Sequence, residues 1–262
     1  MGRLFIAGIL PGITVVIFYL AVIHILCRRN PLMGPAGPKT SFKTKLIDSR
    51  TVWPMVTLFV LVIGGIYAGI FTPTEAGGVG AFGAVVIGLI LKRFSRKSFW
   101  DALAETGELT AMMLILFLGA TIFNQFMAAS QLPFLLAEWI TSLTLPVYVI
   151  LALILFAYLV LGCFFDIIAC MILTLPIIFP IIQTMNLDPI WYGVLMVRML
   201  EIGLVSPPFG LNDFILAGVM DLPLGTIYRG VIPFVIADLF NVALLVAFPQ
   251  ISLFLPNFMK GG

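Results

Sequence analysis

Gly64-Gly65-Ile66-Tyr67-Ala68-Gly69-Ile70-Phe71-Thr72-Pro73-Thr74-Glu75-Ala76 cuts one long apolar run into two. Residues 52–71 precede the cut, and residues 76–91, rich in Gly and Val, follow it. A second interruption, Gly203-Leu204-Val205-Ser206-Pro207-Pro208, separates residues 190–204 from 211–219. Both read G-x-x-[ST]-P-[TP], and they lie in different halves of the chain. Proline removes a backbone donor and bares carbonyls one turn earlier. Glycine lets the chain turn and lets a ligand approach. With a Thr or Ser hydroxyl added, these breaks supply uncharged oxygens, which suit a hard cation such as Na⁺. Paired interrupted segments in corresponding positions point to a transporter built from repeats. The same letters also fit plain turns outside the membrane, since proline is common in membrane helices.

The surrounding composition decides the class. Of 262 residues, 61% are apolar and 10% charged, and mean hydropathy is +1.17. Soluble domains are about 45–50% apolar and about 25% charged. This is the composition of an all-α polytopic membrane protein. It excludes a soluble enzyme, a disordered chain and a nucleic-acid binder. The net charge of +2 is uninformative, but ten of the 14 Lys/Arg fall in 28–50 and 92–97. Under the positive-inside rule these are cytoplasmic loops, with Trp53 and Trp100 just after them as belt residues. Cys27, Cys163 and Cys170 form no CxxC, and His24 is the only histidine, so neither a zinc site nor a catalytic triad is available. No GxSxG or HExxH occurs, and no cofactor is expected.

Spans of about 20 apolar residues are required to cross a bilayer. The expected helices are 4–27, 52–71, 76–91, 109–126, 146–165, 167–184 and 226–248. Residues 98–108, with Asp101, Glu105 and Glu108, read as a short surface helix. Residues 133–144 and 250–258 read as interfacial. We expect a single transmembrane domain over 1–262, with 28–51 as a cytoplasmic linker. If Arg28 is cytoplasmic, Met1 lies outside without a signal peptide, as though other spans preceded it.

Acids inside apolar segments are the next signal, because a charge at mid-bilayer is costly. Asp166 sits in Leu161-Gly162-Cys163-Phe164-Phe165-Asp166-Ile167-Ile168 and is either a buried functional charge or the cap of a helix starting at Ile167. Both roles are compatible. Glu75 suits a helix N-terminus. Arg198 and Glu201, three apart, form either a structural pair or a substrate clamp. Asn212 is placed to orient the second break; Asp238 has no partner visible in sequence.

At these blocks the chain resembles the large membrane subunit (the M, or DctM-like, subunit) of tripartite ATP-independent periplasmic (TRAP) transporters. The matching blocks are Ala7-Gly8-Ile9-Leu10-Pro11-Gly12, Gly64 to Ala76, Leu161-Gly162 with Asp166, and Ser206-Pro207-Pro208-Phe209-Gly210-Leu211-Asn212. A closing stretch from Pro249 to Pro256 also fits. The resemblance implies an elevator-type transporter of inverted repeats with broken helices and a re-entrant helical hairpin, this chain being the second half. It implies Na⁺-driven import of small organic anions across a bacterial inner membrane, with a periplasmic substrate-binding protein and a small membrane subunit as partners. By motif, a Na⁺ site carries over to Gly162, Gly203, Ser206 and Phe209. Thr72, Thr74, Asp166 and Asn212 are further candidates. Ser206 stands where the family usually has Thr, which keeps the hydroxyl. Asp213 stands where the family usually has an apolar residue. Met1 aligns with the family's interior, so the chain reads as a C-terminal part: a fragment, a split gene or a mis-called start. The rival readings are a stand-alone Na⁺/carboxylate carrier and a non-transporting fragment or scaffold.

Overall fold

The computed structural model describes residues 2–30, 34, 52–92, 95–142 and 145–258. Beyond residue 30, the linker expected over 28–51 lies outside the described residues except for Gly34. Every regular element among the described residues is a helix: α1 (Gly2–Ala7), α2 (Ile9–Arg29), α3 (Trp53–Tyr67), α4 (Pro73–Ile90), α5 (Arg96–Ser130), α6 (Leu132–Ser142), α7 (Val147–Phe164), α8 (Ile167–Thr184), α9 (Pro189–Val205), α10 (Leu211–Met220), α11 (Leu224–Ala247) and α12 (Gln250–Phe258). Among the described residues, six stretches are long and apolar enough to cross a membrane: Gly2–Arg29, α4, α5, α7, α8 and α11. The protein is therefore an all-α, multi-pass membrane protein. Its exposed side chains include Ile115, Phe82 and Val219, as lipid contact requires.

Two expected boundaries move. Residues 96–130 form one helix of 35 residues instead of a surface helix followed by a separate span. Nothing in this stretch removes a ladder donor, and the Thr106 and Thr110 hydroxyls fold back onto the Ala102 and Thr106 carbonyls at 2.7 Å, so the acidic turns continue into the apolar ones. Helix α3 is only 15 residues and stops at Tyr67, because Gly69 takes a left-handed φ of +71° and reverses the chain.

The chain divides into two compact units, residues 1–2 with 34–113 and residues 3–33 with 114–262. In the first, α3 packs on α4. A Cβ on Gly83 would lie 2.7 Å from Leu58, and one on Gly65 would overlap the Phe71 ring. These glycines are needed for packing. In the second unit α9 is the central element, packed against α7, α8, α11 and α12. Its Leu195 and Leu200 are fully buried together with Leu151 of α7, Ile182 of α8 and Leu245 of α11. Trp191 Nε1 donates to the Leu245 carbonyl at 2.9 Å.

A polar seam crosses this apolar core. Arg198 of α9 pairs with Asp238 of α11 at 2.6 Å and with Glu201 one turn on. Tyr19 of α2 donates to the other Asp238 oxygen at 2.6 Å. Asn241 donates to Thr14 Oγ1 at 2.8 Å. Asp238 thus has the partner that sequence could not supply, and the Arg198–Glu201 pair forms as spaced. Breaking a buried pair leaves an uncompensated charge, whereas replacing both members costs little. Asp238→Asn should lose about 3 kcal/mol of stability. Arg198→Met with Asp238→Leu should recover most of it. Reversible unfolding in mixed micelles measures both; equal losses would show that the pair is not the cause.

Candidate functional site

Helices α7 and α9 end side by side. Gly162 and Gly203 are each third from the last residue of their helix. A Cβ on Gly162 would sit 2.7 Å from the Leu200 carbonyl oxygen and 3.2 Å from Gly203 Cα. A Cβ on Gly203 would sit 2.7 Å from Gly162 Cα and 2.7 Å from the Leu159 oxygen. Only glycine at both positions allows this approach. The last carbonyls of a helix have no intrahelical donor and form the negative end of its dipole. Two such ends therefore meet at one place.

The chain chemistry after Gly203 deepens the effect. Pro207 and Pro208 remove the N–H groups that would serve the Gly203 and Leu204 carbonyls. The Gly203 carbonyl instead accepts from Ser206 N at 3.1 Å. Ser206 caps α9 in extended conformation and is buried, and its hydroxyl donates to the Ile202 carbonyl at 2.7 Å. That bond spends the proton and leaves the oxygen lone pairs free to ligate. The Phe209 ring stacks on Phe164, the last residue of α7, with centroids 4.9 Å apart. Tyr228 of α11 donates to the Pro208 carbonyl at 2.7 Å, tying the break to its neighbour.

The structure thus brings together Gly162, Gly203, Ser206 and Phe209, the four residues the resemblance put in one site. Asp166 lies at the same end of α7. It is exposed, and its carboxylate accepts from Ile168 N at 2.9 Å as the cap of α8. The capping role is realised, and one carboxylate oxygen remains outside that bond. Asn212 is exposed in the first turn of α10. Thr72 and Thr74 belong to the first unit. There Thr72 and Glu75 close a capping box at the start of α4: the hydroxyl accepts from Glu75 N at 3.3 Å, and the Thr72 N–H donates to Glu75 at 2.8 Å. Thr72 is accounted for by the helix start, as Glu75 is.

Sequence reasoning missed the burial of Asp213. It sits in the first turn of α10, next to exposed Asn212, yet is only 1% exposed. The hint in the sequence was an acid where neighbours of its kind are apolar. No group of three or more His, Cys, Asp or Glu suited to a metal ion occurs among the described residues.

A multi-pass helical membrane protein, with helices broken where two glycines meet, is the class that fold and site define. Residues 1–251 match the family model of the tripartite ATP-independent periplasmic transporter DctM component, and the chain belongs to that family. It is 35% identical to a C4-dicarboxylate TRAP transporter large permease of Pseudomonas aeruginosa, over 99% of this chain and 60% of that protein. It is 31% identical to a sialic acid TRAP transporter large permease of Vibrio cholerae, over 100% of this chain and 61% of that protein. It is 32% identical to an ectoine/5-hydroxyectoine TRAP transporter large permease of Ruegeria pomeroyi, over 97% of this chain and 59% of that protein. The chain therefore spans about three-fifths of the length of these relatives.

Adding a methyl between two packed helix backbones costs about 1–3 kcal/mol. Gly203→Ala should lower stability by that amount in Na⁺-free buffer as well as in Na⁺, because the clash is with backbone. A thermal-shift series in detergent at varied Na⁺ checks it; a loss that appears only with Na⁺ present would show that packing is not the reason for glycine.

Proposed function

We propose that this chain is the C-terminal part of the large membrane subunit of a Na⁺-coupled TRAP importer of small organic anions. The observation that carries the reading is the junction of Gly162 and Gly203. There the C-terminal turns of α7 and α9 touch, beside the Leu204 carbonyl, which Pro207 and Pro208 leave without a helical donor. Half-helix C-terminal ends and unwound carbonyls are the ligand type that secondary transporters use for Na⁺. Carbonyls of Gly162, Gly203 and Phe209 with the Ser206 hydroxyl form the proposed cation site. Asp166 and Asn212 are held in reserve for a second ion or for the substrate; in the first unit Thr74 is a separate candidate, and Thr72, engaged in its cap, is a weaker claimant.

In this mechanism Na⁺ draws the ends of α7 and α9 into one electrostatic unit. That unit holds the 206–210 turn and the start of α10 in place and offsets the charge of an arriving anion. The likeness to permeases named for C4-dicarboxylates, sialic acid and ectoine supports a small carboxylate as cargo. Family membership supports the partners: a periplasmic binding protein that delivers the anion and a small membrane subunit. The location in this reading is the bacterial inner membrane. The chemistry is transport, with no bond made or broken.

The test is uptake of a labelled C4-dicarboxylate by proteoliposomes containing the complete complex, with Na⁺ varied against choline. Ser206→Ala removes one neutral ligand and should raise the half-saturating Na⁺ concentration by roughly tenfold, equivalent to ~1.4 kcal/mol. Ser206→Thr should restore it. An unchanged Na⁺ dependence in Ser206→Ala would remove the assignment, and uptake without a binding protein would favour a self-sufficient carrier.

A further inference from the structure

The buried Asp213 has no role in the site just described. Its side chain makes no hydrogen bond or ion pair among the described residues, and Oδ2 is fully buried without a partner. The charged and titratable side chains on the helices packed against α10 are Arg198, Glu201 and Tyr192 of α9 and Tyr228, Arg229 and Asp238 of α11. Arg198 is committed to Asp238 and Glu201, Tyr228 donates to Pro208, and Arg229 is exposed. None of these neutralises Asp213.

Nor is Asp213 a helix cap. In a capping box it would receive the N–H of Gly210, but that N–H donates to the Ser206 carbonyl at 3.0 Å. The carboxylate turns instead toward the break. A Cβ built on Gly210 would be 3.0 Å from Asp213 Oδ2 and 3.0 Å from the Leu204 carbonyl oxygen. The Leu204 oxygen is itself deprived, because the residues three and four positions on, from which helical donors come, are both proline. Two oxygens without donors therefore face the same small space, left open by a glycine, and one of them is a carboxylate with no counter-charge. A buried polar group without a partner is costly, and a buried charge more so. A small hard cation resolves both deficits at once, since such ions take carboxylate and carbonyl oxygens together.

We infer that Asp213 Oδ2 and the Leu204 carbonyl form a second Na⁺ site, beside Gly210. It has a carboxylate ligand, which the Gly162–Gly203–Ser206–Phe209 set lacks. Site and ion are locally charge-neutral, so this cation holds the start of α10 against the end of α9 without adding charge to the membrane interior. The inference rests on the proposed Na⁺-coupled reading, and its test separates the two.

Radiosodium bound at equilibrium is counted on the membrane-extracted protein with the subunits that co-purify. Wild type, Asp213→Asn and Ser206→Ala are compared, with Na⁺-dependent thermal shift as a second readout. Asp213→Asn should lose one Na⁺ per chain, or bind it at least tenfold more weakly, while Ser206→Ala keeps that ion. Gly210→Ala leaves the carboxylate but crowds both oxygens and should weaken the same ion; it decides the matter if Asp213→Asn does not fold. Unchanged stoichiometry and affinity in the decisive variant overturns the inference. Loss in Ser206→Ala with Asp213→Asn silent overturns this site and leaves the proposed function standing. Loss in Asp213→Asn with Ser206→Ala silent upholds this site and removes only the Ser206 assignment. A protonated-carboxyl infrared band that vanishes in Asp213→Asn and ignores Na⁺ puts a proton where the ion should be, and also overturns the inference.

Discussion

Everything at this site depends on two helix backbones touching at Gly162 and Gly203. Backbone groups inside a bilayer must be satisfied within the protein, so a helix can end there only where something shelters the end. Each of these helices shelters the other. α7 stops at Phe164 and α9 at Val205, and the close approach places the last turn of one beside that of the other. Any side chain at either position would push the two ends apart. Dipoles alone would do the same, since two negative ends repel. The apolar contact of α7 with α9 around Leu151, Leu195 and Leu200 holds the ends together in spite of that repulsion. In the proposed reading, a cation relieves that repulsion.

The polar seam of Arg198, Asp238 and Tyr19 belongs to the same problem seen from the other side of α9. Helix α9 cannot shift along α7 without dragging Arg198 away from Asp238 of α11. Packing fixes the separation of α7 and α9, and the ion pair holds α9 in register with α11. The buried Trp191–Leu245 hydrogen bond acts in the same sense near the beginning of α9. A helix pinned at its start, middle and glycine-rich end presents its last carbonyls at defined positions. The 206–210 turn is held by the Tyr228 bond to Pro208, the Ser206 bonds to Ile202 and Gly203, the Gly210 bond to Ser206 and the Phe209–Phe164 contact.

What was legible in the sequence follows from how local its cause is. Proline chemistry acts within four residues, so the breaks at 72–74 and 206–208 could be read directly, as could the pairing of Arg198 with Glu201. The continuity of α5 was hidden because three acids at helical spacing resemble a surface helix. Only the unbroken backbone ladder shows that they share a helix with the apolar turns. Asp238 was opaque for a different reason: its partner is 40 residues away on another helix, and nothing in either segment names the other. The site residues stood partly in view. Ser206 was found as a hydroxyl at a break, and Phe209 only through family likeness. Gly162 and Gly203 carry the same letter as glycines that serve turns, and only their mutual distance shows why they are glycine.

That ambiguity bears on how glycines at ion sites are interpreted. In the proposed site a glycine has two duties, allowing the helix approach and exposing its own carbonyl, and substitution fails both together. Loss of function at Gly162 or Gly203 therefore cannot by itself show ligation. The duties separate at Ser206 and Asp213, where chemistry can be changed with little change in shape. They separate also in their dependence on the ion: a packing defect is present in its absence, whereas a ligand defect needs the ion to be felt. The two breaks differ on this point. At the first, Thr72 and Glu75 satisfy each other and close the helix start, so its oxygens have little left to offer. At the second, two prolines, a glycine pair and an unpaired carboxylate leave oxygens unsatisfied. Similar sequence patterns thus end in opposite states, one sealed by its capping box and the other left with unpartnered oxygens.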